Sequence, residues 1–331
     1  MQRLLDIENL RTTFDIHVGK VQAVRGVNLH VDEGETVGVV GESGCGKSVS
    51  MLSVLHLLPD YAKISADKMI FDGTDLTRLT PKMFRKISGD QIGMIFQDPM
   101  TSLNPTYTIG RQLMEAIMLH TKRNRKQAYD RAVEMLRLVN VNEPEKRMKQ
   151  YPFEFSGGMR QRVMIAMALA CEPDILIADE PTTALDVTIQ AQILELMNDL
   201  RHKLGMSIIM ITHDLGVVAQ MCEKIAVMYA GHIVEYGTTD EIFYNPQHEY
   251  TKGLINSIPK LNAEEKERLV PIEGQPVDLL NPPAGCPFAP RCKSCMKVCL
   301  NKMPPRTELS DTHYTYCWLR QKEEFEKGGK A

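Results

Sequence analysis

The hydrophobic pattern along the chain predicts short strands separated by helices. Apolar and polar residues alternate over residues 4–10 and 24–31, and residues 35–40 end in an apolar run that leads into Gly41. Short apolar runs typical of strands buried on both faces occupy residues 94–96, 175–178, 208–211 and 225–228. Helical periodicity separates several of these runs, most clearly over residues 189–204. This alternation predicts an α/β fold with a mainly parallel central sheet.

Two regions depart from that alternation. Residues 104–155 carry apolar positions at helical spacing over 111–120 and 126–139 with no strand pattern between them, which predicts a helical insertion. Beyond Asn245-Pro246 a last helix is predicted near 251–257, followed by a tail rich in proline, glycine and cysteine. Because this tail is too poor in apolar residues to build a core alone, we divide the chain into a domain of residues 1–255 and an extension of residues 256–331.

The composition of the 331 residues is that of a globular protein, with 43% hydrophobic and 24% charged residues. The formal net charge of −3 gives no reason to expect nucleic acid as a partner. No stretch approaches the ~20 consecutive apolar residues of a membrane helix, and the first residues lack the apolar core of a secretion signal. We therefore expect a protein of the cytosol, where its eight cysteines indicate metal binding or buried thiols rather than disulfides.

Residues 41–48, Gly-Glu-Ser-Gly-Cys-Gly-Lys-Ser, fit the phosphate-binding pattern G-x-x-x-x-G-K-[ST]. The pattern follows a predicted strand at 36–40 and precedes a predicted helix at 49–58, which is the context that it requires. We expect Lys47 to reach the β- and γ-phosphates of a nucleotide and the Ser48 hydroxyl to bind Mg²⁺. Backbone N–H groups of the loop would surround the phosphates. The expected nucleotide contacts are Gly41, Ser43, Gly44, Gly46, Lys47 and Ser48.

A second apolar strand, predicted at residues 174–178, ends in the two acids Asp179 and Glu180. Buried acids are unfavourable unless a cation or a hydrogen-bond donor meets them. Near a phosphate loop, Asp179 could hold Mg²⁺ and Glu180 could act as the general base that polarises an attacking water.

Between these two motifs lies Phe-Ser-Gly-Gly-Met-Arg-Gln-Arg at residues 155–162, which resembles the signature motif of the ABC ATPase family. Other family motifs appear in the expected order along the chain: Gln97 resembles the Q-loop, Ala184-Leu185-Asp186 the D-loop, and His213 the switch histidine. The resemblance covers about residues 4–255. It implies a P-loop NTPase core with an antiparallel β subdomain, a helical insertion and, here, a Cys-rich C-terminal extension.

The resemblance also implies a mechanism in which two nucleotide-binding domains face each other head to tail and sandwich two ATP molecules. Lys47 of one subunit and the turn Ser156-Gly157-Gly158 of its partner would grip each γ-phosphate. His213 would contact the γ-phosphate and hold the attacking water in line. Gln97 would sense Mg²⁺ and the γ-phosphate, so it joins Ser48 and Asp179 as a magnesium contact. Asp186 would lie at the nucleotide interface.

Three positions qualify the resemblance. Phe155 and Met159 stand where the family most often has leucine and glutamine. Both are apolar and flank the phosphate-binding residues rather than replace them, so we expect little loss of binding. Phe14 is the expected adenine-stacking aromatic, with a core phenylalanine as the alternative.

Residues 97–105, 179–188, 245–251 and 285–292 closely resemble the ATPases of di- and oligopeptide importers, and most of all their D-type subunit. That resemblance implies two membrane permeases, a second and different ATPase subunit, and an extracytoplasmic peptide-binding protein as partners. The chain would then lie on the cytoplasmic face of the cell membrane. Nickel, glutathione and opine importers belong to the same wider group, and a non-transport ABC ATPase is the further alternative.

Cys286, Cys292, Cys299 and Cys317 follow the spacing C-x5-C-x6-C-x17-C, which resembles the tail of these subunits, where four thiolates hold a [4Fe–4S] cluster. Four thiolates also suit a structural zinc ion, and reduced, metal-free thiols are the third alternative. Cys295 lies among them and could replace one ligand. Cys45, Cys171 and Cys222 are predicted to be packing residues.

Overall fold

A computed structural model describes residues 3–183, 185–258 and 271–328. The strands are β1 (Arg3–Ile16), β2 (Gly19–Asp32), β3 (Thr36–Val40), β4 (Ala62–Ser65), β5 (Lys68–Phe71), β6 (Thr74–Asp75), β7 (Ile92–Ile95), β8 (Ile175–Asp179), β9 (Ser207–Thr212), β10 (Lys224–Tyr229), β11 (His232–Thr238), β12 (Thr307–Glu308) and β13 (Tyr314–Thr315). The helices are α1 (Lys47–Val54), α2 (Pro81–Ile87), α3 (Pro99–Ser102), α4 (Ile109–His120), α5 (Arg125–Leu138), α6 (Pro144–Arg147), α7 (Gly157–Ala168), α8 (Val187–Leu204), α9 (Leu215–Met221), α10 (Thr239–Tyr244), α11 (Glu249–Asn256), α12 (Lys297–Asn301) and α13 (Trp318–Gly328).

The chain folds into two compact units, each assembled from separate segments. The first comprises Met1–Leu4, Val31–Thr36 and Arg78–Ile211, and the second comprises Leu5–His30, Val37–Thr77 and Thr212–Ala331. No helix in the described part of the chain is long and apolar enough to cross a membrane.

In the first unit, strands β7, β8 and β9 pair in parallel, with β8 in the centre. Every residue of β8 and β9 is buried, as the continuous apolar runs predict. Helices α4, α5 and α7 pack against one another. Thr108 caps α4, and Asn124 forms a capping box with Gln127 at the start of α5. The predicted helical stretches at 111–120 and 126–139 are therefore confirmed to within two residues.

In the second unit, an antiparallel sheet has the order β2-β1-β5-β6, and β4 pairs with β1. A second group of strands has the order β12-β13-β11-β10-β3. Within it, β10 runs parallel to β3 and antiparallel to β11, and β13 is antiparallel to β11 and β12. The register sets Val227 beside Val40, so β10 runs alongside the strand that leads into the phosphate loop.

The C-terminal segment obtains its core from the rest of this unit. Strand β13 joins the edge of β11, and Tyr314 stacks on Tyr236 with ring centroids 5.3 Å apart. His313 Nε2 donates to Oε1 of the fully buried Glu235 at 2.8 Å. Neither short strand was predicted, because a strand of two residues carries no periodicity of its own.

The helix after the phosphate loop is the clearest difference from the prediction. It spans Lys47–Val54 rather than residues 49–58. The helix ends two residues before His56, whose φ of 51° is left-handed and therefore incompatible with a continuing right-handed helix. The early start places Lys47 and Ser48 in the first helical turn.

Candidate functional site

The phosphate loop is held close to two neighbouring backbones by glycines. A Cβ atom on Gly41 would lie 2.1 Å from the carbonyl oxygen of Met228, and one on Gly46 would lie 2.4 Å from that of Ala23. Gly46 also has a φ of +104°, which side chains disfavour. The loop therefore needs glycine at both positions, and strand β3, buried along its whole length, positions its first residue.

Lys47 lies inside this loop. Its side chain is 5% exposed, and Nζ donates to the carbonyl oxygens of Gly41 at 2.8 Å and Glu42 at 3.0 Å. Ser43 and Gly44 are exposed at the tip of the loop, and Ser48 is half-buried in the first turn of α1. The structure thus brings together the six predicted phosphate-loop residues in one turn around a buried cation.

Two further predicted residues of the second unit are accessible to a ligand. Phe14 is half-buried in β1, and its ring lies 6.0 Å from that of the exposed Tyr61 at an angle of 56°. It is not among the buried core residues. His213 is exposed between the end of β9 and the start of α9, where Asp214 Oδ1 accepts the N–H of Gly216 at 2.8 Å.

The predicted acids lie in the first unit at the end of β8. Asp179 is 4% exposed. Glu180 has a φ of 45°, and its N–H donates to the carbonyl oxygen of Ile211 at 2.8 Å. Its Oε2 accepts hydrogen bonds from Gln97 Nε2 at 3.0 Å and from Thr183 Oγ1 at 2.8 Å. The structure therefore joins Gln97 to Glu180, residues 83 positions apart, and adds Thr183, which no sequence pattern indicated.

The signature segment and the D-loop meet within the first unit. Ser156 caps α7 by accepting the N–H of Met159 at 3.3 Å, and Asp186 caps α8 by accepting the N–H of Ile189 at 2.9 Å. A Cβ atom on Gly158 would lie 2.8 Å from Cγ2 of Ile189. The same isoleucine is thus fixed by the D-loop cap and packed on the signature glycine. Ala184 lies outside the described residues.

The two departures from the usual signature have different environments. Phe155 is 4% exposed, and the Arg147 guanidinium lies 5.7 Å from the centre of its ring. Phe155 is thus a packing residue, in accord with its apolar character. Met159 and Gly158 are half-buried, whereas Ser156 and Gly157 are exposed. The residues expected to touch phosphate are therefore among the accessible ones.

The four predicted cysteine ligands line one partly open cavity in the second unit. Cys286 and Cys299 are also joined through their backbones, since the N–H of Cys286 donates to the carbonyl oxygen of Cys299 at 2.8 Å. Burial raises the pKa of the Cys286 thiol to about 12 and that of Cys292 to about 11. Cys295 is exposed and does not line this cavity.

Over the described ranges, no group of three or more histidine, cysteine, aspartate or glutamate side chains is arranged so that it could hold a metal ion. The other cysteines are separate from the cavity. Cys45 and Cys222 are buried and Cys171 is half-buried, as packing residues would be.

Comparison with known proteins places this site in a family. Residues 24–183 match the family "ABC transporter", and residues 234–299 match "Oligopeptide/dipeptide transporter, C-terminal region". The dipeptide transport ATP-binding protein DppD of Bacillus subtilis (strain 168) is 56% identical over 97% of this chain and 96% of its own length. The oligopeptide transport ATP-binding protein OppD of the same organism is 55% identical over 96% of this chain and 89% of its own.

Among solved structures, the dimeric post-hydrolysis state of the ATP-binding cassette MJ0796 bound to ADP and Pi is similar, with a TM-score of 0.64 and 28% identity. The similarity covers 71% of this chain and 98% of that one. Relatives more than half identical along nearly the whole of both chains, together with the phosphate loop and signature segment in place, show that the chain belongs to the ABC transporter family, among the ATP-binding subunits of dipeptide and oligopeptide transporters.

Proposed function

We propose that this chain binds and hydrolyses ATP to power the uptake of di- and oligopeptides through separate membrane permeases. The observation that carries the proposal is the closed phosphate loop around Lys47. Its buried ammonium group donates to two loop carbonyl oxygens and, at 4.0 Å, to Cys45 Sγ, a weak acceptor that a phosphate oxygen would replace. Lys47 would contact the β- and γ-phosphates, and Ser48 would bind Mg²⁺. Gly41, Ser43, Gly44 and Gly46 would present backbone N–H groups to the same anion, and Phe14 would stack on adenine.

Hydrolysis would depend on the acids at the end of β8. Asp179 would complete the Mg²⁺ shell with Ser48 and Gln97, and Glu180 would take a proton from the attacking water. The bond from Gln97 Nε2 to Glu180 Oε2 holds that carboxylate in one orientation, which supports the assignment. His213, exposed before α9, would contact the γ-phosphate.

The signature turn would act on a nucleotide held by a partner subunit. Ser156 and Gly157 are exposed at the N-terminus of α7, where backbone N–H groups attract an anion. Asp186 and Gly158 would hold this turn in shape through Ile189. The similar cassette bound to ADP and Pi is dimeric, which supports the pairing of this chain with a second nucleotide-binding domain.

Peptide is the favoured cargo, since the two Bacillus subtilis relatives carry dipeptide and oligopeptide transport in their names. Nickel, glutathione and opine remain the alternative cargoes, and a non-transport ABC ATPase is a more distant alternative. We infer as partners two transmembrane permeases, a second and different ATPase subunit, and an extracytoplasmic peptide-binding protein. These permeases would hold the chain at the cytoplasmic face of the cell membrane.

We further propose that residues 1–255 are the nucleotide-binding domain, with helical residues 104–155, and that residues 256–331 are an extension built around a metal centre. Residues 259–270 and 329–331 of that extension lie outside the described residues. Cys286, Cys292, Cys299 and Cys317 would hold a [4Fe–4S] cluster, with zinc as the alternative. The four thiols line a single cavity, which supports this donor set, although in the described residues their side chains are not arranged to hold a metal ion. When bound, the group would cross-link a segment that has little core of its own.

The activity is tested with Glu180→Gln and a matched control, Glu195→Gln, on the exposed face of α8. Glu180→Gln should bind ATP as the wild type does and lose hydrolysis by about 10²–10⁴-fold, the usual contribution of a general base. Glu195→Gln should retain wild-type activity. Hydrolysis by Glu180→Gln above about a tenth of the wild-type rate would show that Glu180 is not the general base.

Transport is tested separately by co-purification of the tagged full chain from detergent-solubilised membranes, followed by uptake of labelled di- and tripeptides in cells that lack or carry the gene. Two permeases and a second ATPase in the purified complex, with peptide uptake that requires this chain, are the expected outcome. A complex without permeases would refute the transport role while leaving the ATPase chemistry standing.

A further inference from the structure

Residues 276–279, which precede Cys286 in the chain, lie against the phosphate loop within the second unit. Pro276, Val277 and Leu279 line one cavity together with loop residues 42–45. The backbone N–H of Gln22 donates to the carbonyl oxygen of Leu279 at 2.9 Å, which fixes the segment to β2. The C-terminal extension therefore forms part of the surroundings of the loop.

Arg291, the residue before Cys292, is the centre of this contact. Its side chain is 4% exposed. Nη1 donates to Glu42 Oε2 at 2.7 Å and to the Tyr229 hydroxyl at 3.3 Å. Nη2 donates to Glu42 Oε1 at 3.0 Å and to the carbonyl oxygen of Ile272 at 3.2 Å, and Nε donates to that of Glu273 at 3.0 Å. All five N–H groups of the guanidinium thus have an acceptor, in the bidentate arrangement that fixes a carboxylate most strongly.

Glu42 is held at its backbone as well as at its carboxylate. Its N–H donates to the hydroxyl of the fully buried Tyr250 at 2.9 Å. The ring of Tyr250 lies 4.6 Å from that of Tyr229 and 5.4 Å from that of Phe288, which also belongs to the extension. Both contacts fix the second residue of the phosphate loop to side chains outside the loop.

The position of Glu42 affects the cation that would bind phosphate. Lys47 Nζ donates to the carbonyl oxygens of Gly41 and Glu42, so a displacement of Glu42 would move an acceptor that orients this ammonium group. The Glu42 carboxylate is also a negative charge within the loop that would receive a polyanion. Arg291 offsets that charge, because oppositely charged groups in contact cancel most of each other's field on a third.

We propose that Arg291 is a positioning residue for nucleotide binding, which fixes and neutralises Glu42 and so couples the C-terminal extension to the affinity of the phosphate loop. This inference rests on the proposed function, because it takes the loop to be the nucleotide site. Arg291 need not touch the nucleotide itself. It acts through Glu42, whose carboxylate it holds and whose charge it offsets.

The test measures binding of a fluorescent ATP analogue with Mg²⁺ to the full chain, together with the melting temperature of each variant. Arg291→Gln should raise the Kd about tenfold, the effect of ~1.4 kcal/mol, because an uncompensated carboxylate then faces the phosphates. Adding Glu42→Gln to that variant should restore part of the lost affinity by removing this charge. Arg291→Lys, which keeps the charge but not the bidentate contact, should lie between Arg291→Gln and the wild type.

Arg306 supplies the matched control. It is an arginine of the same extension that lies 3.8 Å from the centre of the Tyr314 ring and pairs with Glu308 at 2.7 Å. Arg306→Gln should leave the Kd unchanged. A purely structural role for Arg291 would lower the melting temperature without changing the Kd of the folded fraction, and the second substitution would then restore no affinity.

The outcomes separate this inference from the function on which it rests. A wild-type chain that binds no nucleotide would overturn the proposed function, and the inference with it. The inference alone would be overturned if the wild type binds the nucleotide and both Arg291→Gln and Arg291→Lys bind it with Kd values within about twofold of the wild type. That range corresponds to a difference of less than ~0.5 kcal/mol in binding free energy. An equal loss of affinity in Arg306→Gln would also overturn it.

Discussion

Alanine at Gly46 should destabilise this protein more than alanine at a glycine of similar conformation with open surroundings. Gly46 has a φ of +104°, and its added Cβ would lie 2.4 Å from the carbonyl oxygen of Ala23 in β2. A side chain in the left-handed region costs ~1–2 kcal/mol. Cβ contacts under 3.0 Å essentially never occur, so β2 or the start of α1 must also move. Overpacking of that kind costs ~1–3 kcal/mol, so we expect a loss of about 2–5 kcal/mol in the free energy of unfolding.

Gly205 provides the control for the conformational part of that loss. It ends α8 with a φ of +67°, and no described atom lies within 4 Å of its added Cβ. Gly205→Ala should therefore lose only the left-handed contribution of ~1–2 kcal/mol. The difference between the two variants isolates the contacts of the added Cβ with the carbonyl group of Ala23 and with Cε of Met228.

Urea unfolding followed by circular dichroism measures both losses under the same conditions. The slope of each transition should match that of the wild type, so that the midpoints report stability. Equal losses in Gly46→Ala and Gly205→Ala would refute the reasoning. They would mean that β2 and the phosphate loop separate without strain, and that the close approach seen here does not constrain the loop.

Three further predictions concern catalysis, pH and metal. Gln97→Ala, which removes a donor to Glu180 Oε2, should slow single-turnover hydrolysis at saturating ATP about tenfold to a hundredfold; an unchanged rate would contradict the positioning role. Burial and two nearby arginines lower the pKa of His232 from 6.5 to about 3. As the pH falls, the unfolded chain therefore takes up the proton before the folded chain does. The free energy of unfolding of the wild type should fall by up to about 2 kcal/mol more than that of His232→Asn between about pH 7 and 5. Parallel urea titrations measure both changes, and equal losses would contradict the lowered pKa. Cys292→Ser should lose iron during anaerobic purification while Cys171→Ser keeps it, and a wild type without iron would exclude the cluster.

The elements that the sequence predicted well are those with strong local patterns. β8 and β9 are continuous apolar runs with both faces buried, and α4 and α5 show helical periodicity next to capping residues. Local pattern failed where an element is short or depends on a partner. β13 forms by pairing with the edge of β11, and β12 forms by pairing with β13. The end of α1 depends on the left-handed conformation of His56, which the hydrophobic periodicity does not indicate.

The same division holds for the candidate site. Lys47, Asp179 and Glu180 could be predicted from the sequence, because phosphate and magnesium chemistry requires particular residue types at fixed spacing. The signature turn was predicted only from its resemblance to the ABC ATPase family. The hydrogen bond from Gln97 to Glu180 joins two motifs whose separation in the chain says nothing about their distance.

Residues within one turn or strand are therefore enough to predict the chemistry of a motif and the class of a strongly periodic element. The hydrogen bonds of Arg291 with Glu42, and the bond from the loop N–H to Tyr250, depend instead on the tertiary fold. Those contacts span more than 200 residues of chain. They arise from the packing of the C-terminal extension around the loop, and burial of complementary groups on that scale leaves no local pattern in the sequence.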